Sequence, residues 1–586
     1  MYLENINSPA DVKRLTLGQL PLLSAEVRHA LLQKLSDHGG HIGPNLGMVE
    51  TTVALHYVFN SPTDKIVFDV SHQSYAHKML TGRKEAFLSP RHYDDVSGYT
   101  EPSESKHDNF IVGHTSTSVS LALGLAKGRD LTGGHENVIA VIGDGSLSGG
   151  EALEGFDMAA ELGSNLIIIV NDNQMSIAEN HGGLYENLRL LRQTMGECPC
   201  NIFKAMGLDY VYVADGNDTA QLVSAFSRVK DTQRPVVVHI NTVKGKGYKF
   251  AEEQKERFHW GYPFYLATGE TKPEYVSKDE DYHSLTAKTL LAEMKADPTV
   301  VALTAGTPTV MGFGPALRAE AGRQFVDVGI AEETAIAMSS GIAARGGKPV
   351  FGVYSSFIQR TYDQLSQDLC INNNAATILV YLGTLTGMND VTHLGFYDIP
   401  LIAHIPNMVY LAPTTKQEYL AMLHWAIHQT KYPVSIRVPA NGVVDRPDQA
   451  VDTDYAQLNR YSVTREGSRV AILALGSYYQ LGERVADLLA ARGINPTLVN
   501  PRYITGLDTD LLERLRTDHQ LVVTLEDGQL EGGWGQTVAS YYGTSPMRVL
   551  CCGGRKGFVD RFDYHDYLSA NRLLDDQLAD DIVAAL

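Results

Sequence analysis

Residues 138–173 read VIAVIGDGSLSGGEALEGFDMAAELGSNLIIIVNDN, and the fold class follows from how that stretch is parsed. Residues 138–142 are an unbroken apolar, β-branched run, as expected of a strand buried on both faces of a parallel sheet. Gly143-Asp144-Gly145 ends the run in a turn. The following EALEGFDMAAEL has helical composition and predicts a crossover helix of about ten residues. A second apolar run, residues 165–170, leads into Asn171-Asp172-Asn173. Strand, helix and strand in succession predict a right-handed βαβ unit, its two strands parallel and their carboxyl ends on one edge of the sheet. Asp144 and Asn173 are therefore expected side by side, at the edge where open α/β sheets bind ligands.

The same rhythm extends outward in both directions. RPVVVHINTVKG, KPVFGVYSS, ATILVYLG, NMVYLAP, RVAILALGS, NPTLVNPRY and HQLVVTLEDG are further apolar runs, separated by helical stretches such as GERVADLLAARG. Strands alternating with helices predict doubly wound α/β sheets, mostly parallel. A chain of 586 residues exceeds what one core supports. Two polar stretches without period, residues 262–285 and 440–457, divide it. Three α/β domains are expected, over residues 1–265, 286–442 and 458–586.

Composition narrows the function. A net charge of −19 argues against nucleic acid, which calls for a basic stripe. It also means that an anionic substrate must be held by local groups or a metal, against the global field. No apolar run approaches the ~20 residues that span a bilayer, and MYLENINSPADVKRL has no apolar stretch after a basic start, so a cytoplasmic protein without a membrane segment is expected. The five cysteines form no CxxC pair, which fits reduced thiols. His72 and His77, five apart, make no zinc motif.

Asp144 and Asn173 offer hard oxygen ligands suited to Mg²⁺ or Ca²⁺. Gly145 and the small Ser146 let backbone N–H groups approach a phosphate, and the following helix adds its positive end. A Mg²⁺-bridged diphosphate fits such a site. Gly-Asp-Gly by itself is a common turn; the paired Asn-Asp-Asn one helix and one strand later is what raises it to a metal site. In VDVGIAEETAIAMSSGIAARG, Glu332 stands at a strand-to-helix turn, where on the segment alone it reads more simply as a first-turn acid favoured by the helix dipole.

These motifs carry a resemblance. GDG followed by about 30 residues and an Asn, in strand–helix–strand context, is similar to the thiamine-diphosphate fingerprint of transketolases, pyruvate dehydrogenases and their relatives. DVGIAE resembles their catalytic segment, and GVYSSFIQRTYDQ the segment whose aromatic stacks on the aminopyrimidine. The likeness is greatest to the 1-deoxy-D-xylulose-5-phosphate synthases and covers nearly the whole chain. HIGPNLGMVETTVALHYVFNSPTDKIVFDVSHQSYAHKMLTGR, GHTSTSVSLALGLA, GDGSLSGGEALE, NDNQMSI, KGKGY, FHWG, THLGFYD, IPNMVYLAP and TLEDGQLEGGWG match that family in order.

The resemblance implies a transketolase-like architecture: a diphosphate- and metal-binding domain, an aminopyrimidine-binding domain and a C-terminal domain. It implies thiamine diphosphate and Mg²⁺, a homodimer, and a transferase reaction. Pyruvate loses CO₂ and its two-carbon fragment is joined to D-glyceraldehyde 3-phosphate, a step that serves isoprenoid and thiamine biosynthesis. Residue by residue, it implies that Asp144, Asn173 and the Met175 carbonyl hold the metal. His72, Gly113, His114, Thr115, Gly145, Ser146, Tyr248 and Phe357 would line the cofactor, and Glu332 would activate it. His41 and His259 would move protons or bind substrate oxygens; His393 would face the acceptor, with Tyr354 and Arg360 nearby.

The chain also departs from the family. Leu382, in VYLGTLTG, stands where the family has the Arg of Asp-Arg-Ala-Gly, and Ala440, in RVPANG, where it has the Arg of Pro-Arg-Gly. Both arginines are expected to grip the acceptor's phosphate, a task for which a bidentate guanidinium is hard to replace. Glu332-Glu333-Thr334 replaces Glu-Gln-His, Asn389 aligns with a family Asp although Asp390 is adjacent, and residues 178–205 are shorter than the family's loop. Trp260 follows His259 where the family has a small residue, and its bulk is expected to narrow a pocket. An intact cofactor half and an altered acceptor half suggest a different, unphosphorylated aldehyde or ketose. The other readings are a transketolase-like enzyme with a ketose donor, a non-catalytic cofactor-binding homologue, and a subunit of a dehydrogenase complex.

Overall fold

The structure, a computed structural model, describes residues 2–388 and 390–586; Asn389 lies outside the described residues. The chain divides into two compact units. The first runs to Lys278 and includes Gly329–Ala331; the second comprises Asp279–Val328 and Glu332–Leu586.

The first unit is built on a five-stranded parallel sheet, β1 (Lys65–Phe68), β2 (Val138–Gly143), β3 (Ile167–Asp172), β4 (Asp209–Val213) and β5 (Val236–Asn241), in the order β1-β2-β3-β5-β4. Its strands are apolar throughout because both faces are covered. Ile139, Val141, Ile167 and Ile169 enter one core, while Ala140, Ile142, Ile168 and Val170 enter another on the opposite face. Each such Val or Ile side chain contributes roughly 1.5–3 kcal/mol by leaving water. The crossover between β2 and β3 is helix α2 (Gly150–Leu162), which packs on α1 (Ser118–Thr132). At Gly155 a Cβ would come within 3.2 Å of Val119, so glycine sets how closely the two helices approach.

The expected βαβ unit is present, with one correction. β3 begins at Ile167 and runs through Asp172, so Asn171-Asp172 lies inside the strand. Gly143 pairs with Asn171, the last pair of the ladder; Asp144 then turns away from the strand, with Asp172 and the Asn173 backbone both beside its carboxyl. Register between two parallel strands depends on where each enters the sheet, which the motif alone does not specify.

The second unit holds two sheets. The first is six-stranded and wholly parallel: β6 (Val300–Thr304), β7 (Phe325–Asp327), β8 (Lys348–Tyr354), β9 (Thr377–Tyr381), β10 (Val409–Leu411) and β11 (Val434–Arg437), in the order β10-β11-β9-β8-β6-β7. The other contains β12 (Ser462–Arg465), β13 (Arg469–Ala474), β14 (Thr497–Asn500), β15 (His519–Gln529) and β16 (Arg548–Gly554), in the order β12-β14-β13-β15-β16, with only β12 antiparallel. Ile378 and Val380 of one sheet and Ala471 and Leu473 of the other belong to the same core. Helices α3 (Tyr282–Ala296), α4 (Glu332–Ala344) and α5 (Lys416–His428) flank the six-stranded sheet. Among the described residues the five cysteines are free, and no helix is long and apolar enough to cross a membrane.

Candidate active site

In the first unit, Asp144 follows β2 and is 1% exposed. Its neighbour Asp172 accepts hydrogen bonds from His239 Nε2 (2.9 Å) and from Arg192, so that charge is compensated. Asp144 is not so served. Its Oδ2 accepts from Asn180 Nδ2 at 2.8 Å, whereas its Oδ1 is buried without a hydrogen bond among the described residues, as is Oδ1 of Asn180. Burial first, and then the adjacent Asp172, push the Asp144 carboxyl up. A buried acid with an idle oxygen and an amide oxygen beside it is a seat for a hard cation. Asn173 is buried next in the chain, its Oδ1 accepting from the Met175 N–H at 3.2 Å.

The loop after Asp144 has room for backbone only. A Cβ at Gly145 would lie 2.9 Å from Ser176, so the Asn-Asp-Asn-Gln-Met-Ser segment passes directly over it. Ser146 is buried, and its carbonyl accepts from Ser116 Oγ at 2.8 Å. Ser116 has φ +74°, and its N–H is held by buried Asp69 at 2.8 Å, which fixes the exit of Gly113-His114-Thr115. The residues present fit a metal-bound diphosphate: oxygen ligands at Asp144 and a glycine-shaped approach beside it.

Three histidines gather in the same unit. The His41 and His72 rings are 4.9 Å apart, His72 stacks on His259 at 5.2 Å, and His41 meets His259 at 5.9 Å. Antiparallel pairing of Gly40–His41 with Trp260–Gly261 brings the distant segments together. Asn45 then joins two of them, donating to the His41 carbonyl at 2.8 Å and the His72 carbonyl at 2.7 Å. Lys244 Nζ lies 3.1 Å from His259 Nδ1 and donates to the Ser176 carbonyl. Burial, then the charge of Lys244, hold His259 well below the usual histidine range, and burial pushes Lys244 down to about 7.

The Tyr248 ring packs among Phe250, Phe258 and Phe264, and its hydroxyl donates to the Leu266 carbonyl at 3.0 Å. Trp260 is 47% exposed and packs edge-on against Tyr262 at 5.0 Å. Asn45, Asn180 and Lys244 were not singled out from sequence. Asn45 and Lys244 lie within quoted motifs, HIGPNLG and KGKGY, but short polar residues beside glycine are unremarkable without the fold.

In the second unit, Glu332 opens α4 and is 3% exposed. Its Oε2 accepts no hydrogen bond among the described residues and lies 4.0 Å from Arg360 Nη1. Burial pushes the carboxyl up to about 7, opposed by Arg360. Arg360, expected at the substrate, thus faces the glutamate. Phe357 is one turn before it and meets Tyr354 at 5.8 Å and His393 at 5.6 Å, both edge to face. His393 Nδ1 is 2.8 Å from Thr392 Oγ1 and 3.5 Å from Asp390 Oδ1. Glu332, Arg360, Phe357, Tyr354 and His393 therefore form one contiguous set.

The loop that carries His393 is held by C-terminal residues: Leu385 N–H donates to Asp527 of β15 at 2.8 Å and Val391 N–H to Asp560, beyond β16, at 3.1 Å. Leu382 has φ +57°, and its carbonyl accepts from Ser355 Oγ at 2.9 Å. The nearby buried Arg437 is committed to Asp398, with Nε 2.6 Å and Nη2 3.0 Å from its oxygens, and to the Asp527 carbonyl at 2.6 Å.

Comparison with known proteins gives the family. Residues 3–197 and 190–242 match the family model described as 1-deoxy-D-xylulose-5-phosphate synthase. Residues 279–443 match the transketolase pyrimidine-binding domain and residues 460–554 the transketolase C-terminal domain. A 1-deoxy-D-xylulose-5-phosphate synthase of Symbiobacterium thermophilum is 37% identical over 602 residues, covering 96% of this chain and 91% of that protein. One from Caldanaerobacter subterraneus subsp. tengcongensis is 37% identical over 600 residues, covering 96% and 95%, and one from Thermomicrobium roseum 38% over 601 residues, covering 96% and 94%. With relatives of this identity aligned over nearly their whole length, the chain belongs to the 1-deoxy-D-xylulose-5-phosphate synthase family.

Proposed function

We propose that the protein is a thiamine-diphosphate-dependent transferase that decarboxylates pyruvate and joins the two-carbon fragment to D-glyceraldehyde 3-phosphate or a related aldehyde. The observation that carries this reading is Glu332: a buried carboxyl with an idle oxygen, poised near neutrality, suits a hydrogen bond to a heterocycle nitrogen. Thiamine diphosphate, when bound, supplies the carbon nucleophile and the electron sink. Glu332 holds a proton at its carboxyl oxygen against the aminopyrimidine, and Phe357 offers a face for that ring. Asp144, Asn173 and the Met175 carbonyl would hold Mg²⁺, with Gly145, Ser146, His72, Gly113, His114 and Thr115 about the diphosphate and the ring. His41 and His259 move protons at the donor's oxygens, and His393 does so at the acceptor.

In this reading residues 1–265 form the diphosphate- and metal-binding domain, 286–442 the aminopyrimidine-binding domain and 458–586 the C-terminal domain. We place the protein in the cytoplasm as a homodimer, feeding isoprenoid and thiamine biosynthesis as its family does.

A second reading concerns the acceptor alone. Leu382 and Ala440 stand where the family has arginines, and Arg437 is committed to Asp398. An unphosphorylated aldehyde suits that set better than a phosphate ester. CO₂ release from pyruvate by the enzyme with thiamine diphosphate and Mg²⁺ tests both readings. Release stimulated by D-glyceraldehyde 3-phosphate supports the first. Release stimulated by glyceraldehyde and indifferent to the phosphate supports the second. No release from pyruvate overturns the donor assignment.

A further inference from the structure

Outside the residues of the candidate site, two helices of the second unit bring three metal-ligating side chains together. Glu293 lies in the last turn of α3, and His424 and His428 lie in the last turns of α5, four apart and hence on one helix face. His424 Nδ1 is 2.8 Å from one oxygen of Glu293, and His428 Nε2 is 2.9 Å from the other. The imidazole centroids are 4.4 Å apart, and one ligand atom from each of the three residues lies within 4.8 Å of the others. The histidines face solvent and the carboxylate is half-buried.

We infer that Glu293, His424 and His428 form a binding site for a single divalent transition ion of the zinc type. Two imidazole nitrogens and one carboxylate oxygen match the ligand preference of Zn²⁺, and of Co²⁺ or Ni²⁺, and not that of Mg²⁺, which takes oxygen. The spacing is that of two histidines one helical turn apart, the arrangement helices use to chelate zinc. Three protein ligands leave a fourth position for water.

Electrostatics favours a cation there for a second reason. Both α3 and α5 end at the cluster, so the partial negative charge of two helix C-termini falls on the same spot. Lys348 opposes it, with Nζ 3.2 Å from His428 Nδ1. It is already paired with Asp297 at 2.9 Å, a partner to which it can withdraw. Since a protonated lysine only donates, His428 now carries its hydrogen on Nε2, pointing at Glu293. Metal binding shifts that hydrogen to Nδ1 of His428 as Lys348 withdraws, and the one His424 directs at the same carboxylate to its Nε2, so that each ring meets the ion as a neutral imidazole; no redox partner is needed. The bound ion would tie α3 to α5 over the core formed by Leu290, Leu291, Met294, Leu423, Ala426 and Ile427.

The test uses the full-length protein saturated with Mg²⁺ and thiamine diphosphate, so that the oxygen site is filled, and compares it with His424→Gln and His428→Gln. Equilibrium dialysis against buffered Zn²⁺ should give one equivalent more in the wild type than in either variant, with affinity at that site lost by about tenfold or more. The wild-type melting temperature should rise with Zn²⁺, fall back with chelator, and not respond in the variants. Because the three residues are outside the catalytic set, turnover with Mg²⁺ should be unchanged in both variants, which shows that they are folded. Equal stoichiometry and affinity in wild type and variants, or no Zn²⁺-dependent shift in the wild type, would overturn the assignment.

Discussion

Lys244 Nζ stands 3.1 Å from His259 Nδ1 and also donates to the Ser176 carbonyl, directly above Gly145. A protonated lysine has hydrogens to give and no lone pair, so Nδ1 is the acceptor and the imidazole hydrogen sits on Nε2. The lysine thereby decides which face of His259 can donate. It also ties the histidine group to the loop that follows the candidate metal ligands.

Lys244→Met should therefore leave the fold intact but free His259 to take either tautomer. Turnover should drop by about tenfold to hundredfold, and the His259 titration should move up toward the ordinary histidine range once the neighbouring positive charge is gone. The lysine itself gives a sign. Its folded value, about 7, lies below the unfolded 10.5, so the unfolded chain binds the extra proton between those values. Wild-type stability should rise with pH across that window, and the variant should lack the rise. Histidine NMR and pH-dependent melting of the cofactor-free protein read both effects; identical curves would refute the assigned contact.

Glu332 behaves in the opposite sense. Its folded value, about 7, lies above the ordinary 4.5, so the folded state binds the proton between those values and loses stability as pH rises through that range. Glu332→Gln removes the ionisable group at nearly constant volume. The cofactor-free variant should be more stable than wild type above pH 7 by up to ~3 kcal/mol. The difference should vanish near pH 4. Turnover should be lost at every pH. Denaturation at pH 8 and pH 5 checks the first statement, and CO₂ release from pyruvate the second.

Position 382 has a positive φ that leucine already tolerates, so an arginine there adds no new backbone strain. Leu382→Arg with Ala440→Arg should restore grip on a phosphate ester. Hydrogen bonds to charged groups are worth about 1.5–3 kcal/mol each, so kcat/KM for D-glyceraldehyde 3-phosphate relative to glyceraldehyde should rise by roughly tenfold or more. An unchanged ratio would show that phosphate is recognised elsewhere.

Much of this was legible before folding. Strands buried on both faces of a parallel sheet must be apolar at every position, so VIAVI and LIIIV announced the α/β class, and the expected crossover helix lies between them. Asp144, Gly145 and Asn173 were legible because one turn and one βαβ unit hold the whole motif. Glu332 was visible as a residue at a strand-to-helix turn; its poise near neutrality was not, because desolvation comes from neighbours remote in sequence. The tertiary structure alone decided the rest. It set Asp172 as well as the Asn173 backbone beside the Asp144 carboxyl. It brought His41 and His72 to His259 through the pairing of Gly40–His41 with Trp260–Gly261. It turned Trp260 outward, gave Asn45 two histidine carbonyls to hold, and set Glu293 against His424 and His428. Local periodicity reports which face of an element is buried; which distant side chains share a space is fixed by packing, and packing is a property of the whole chain.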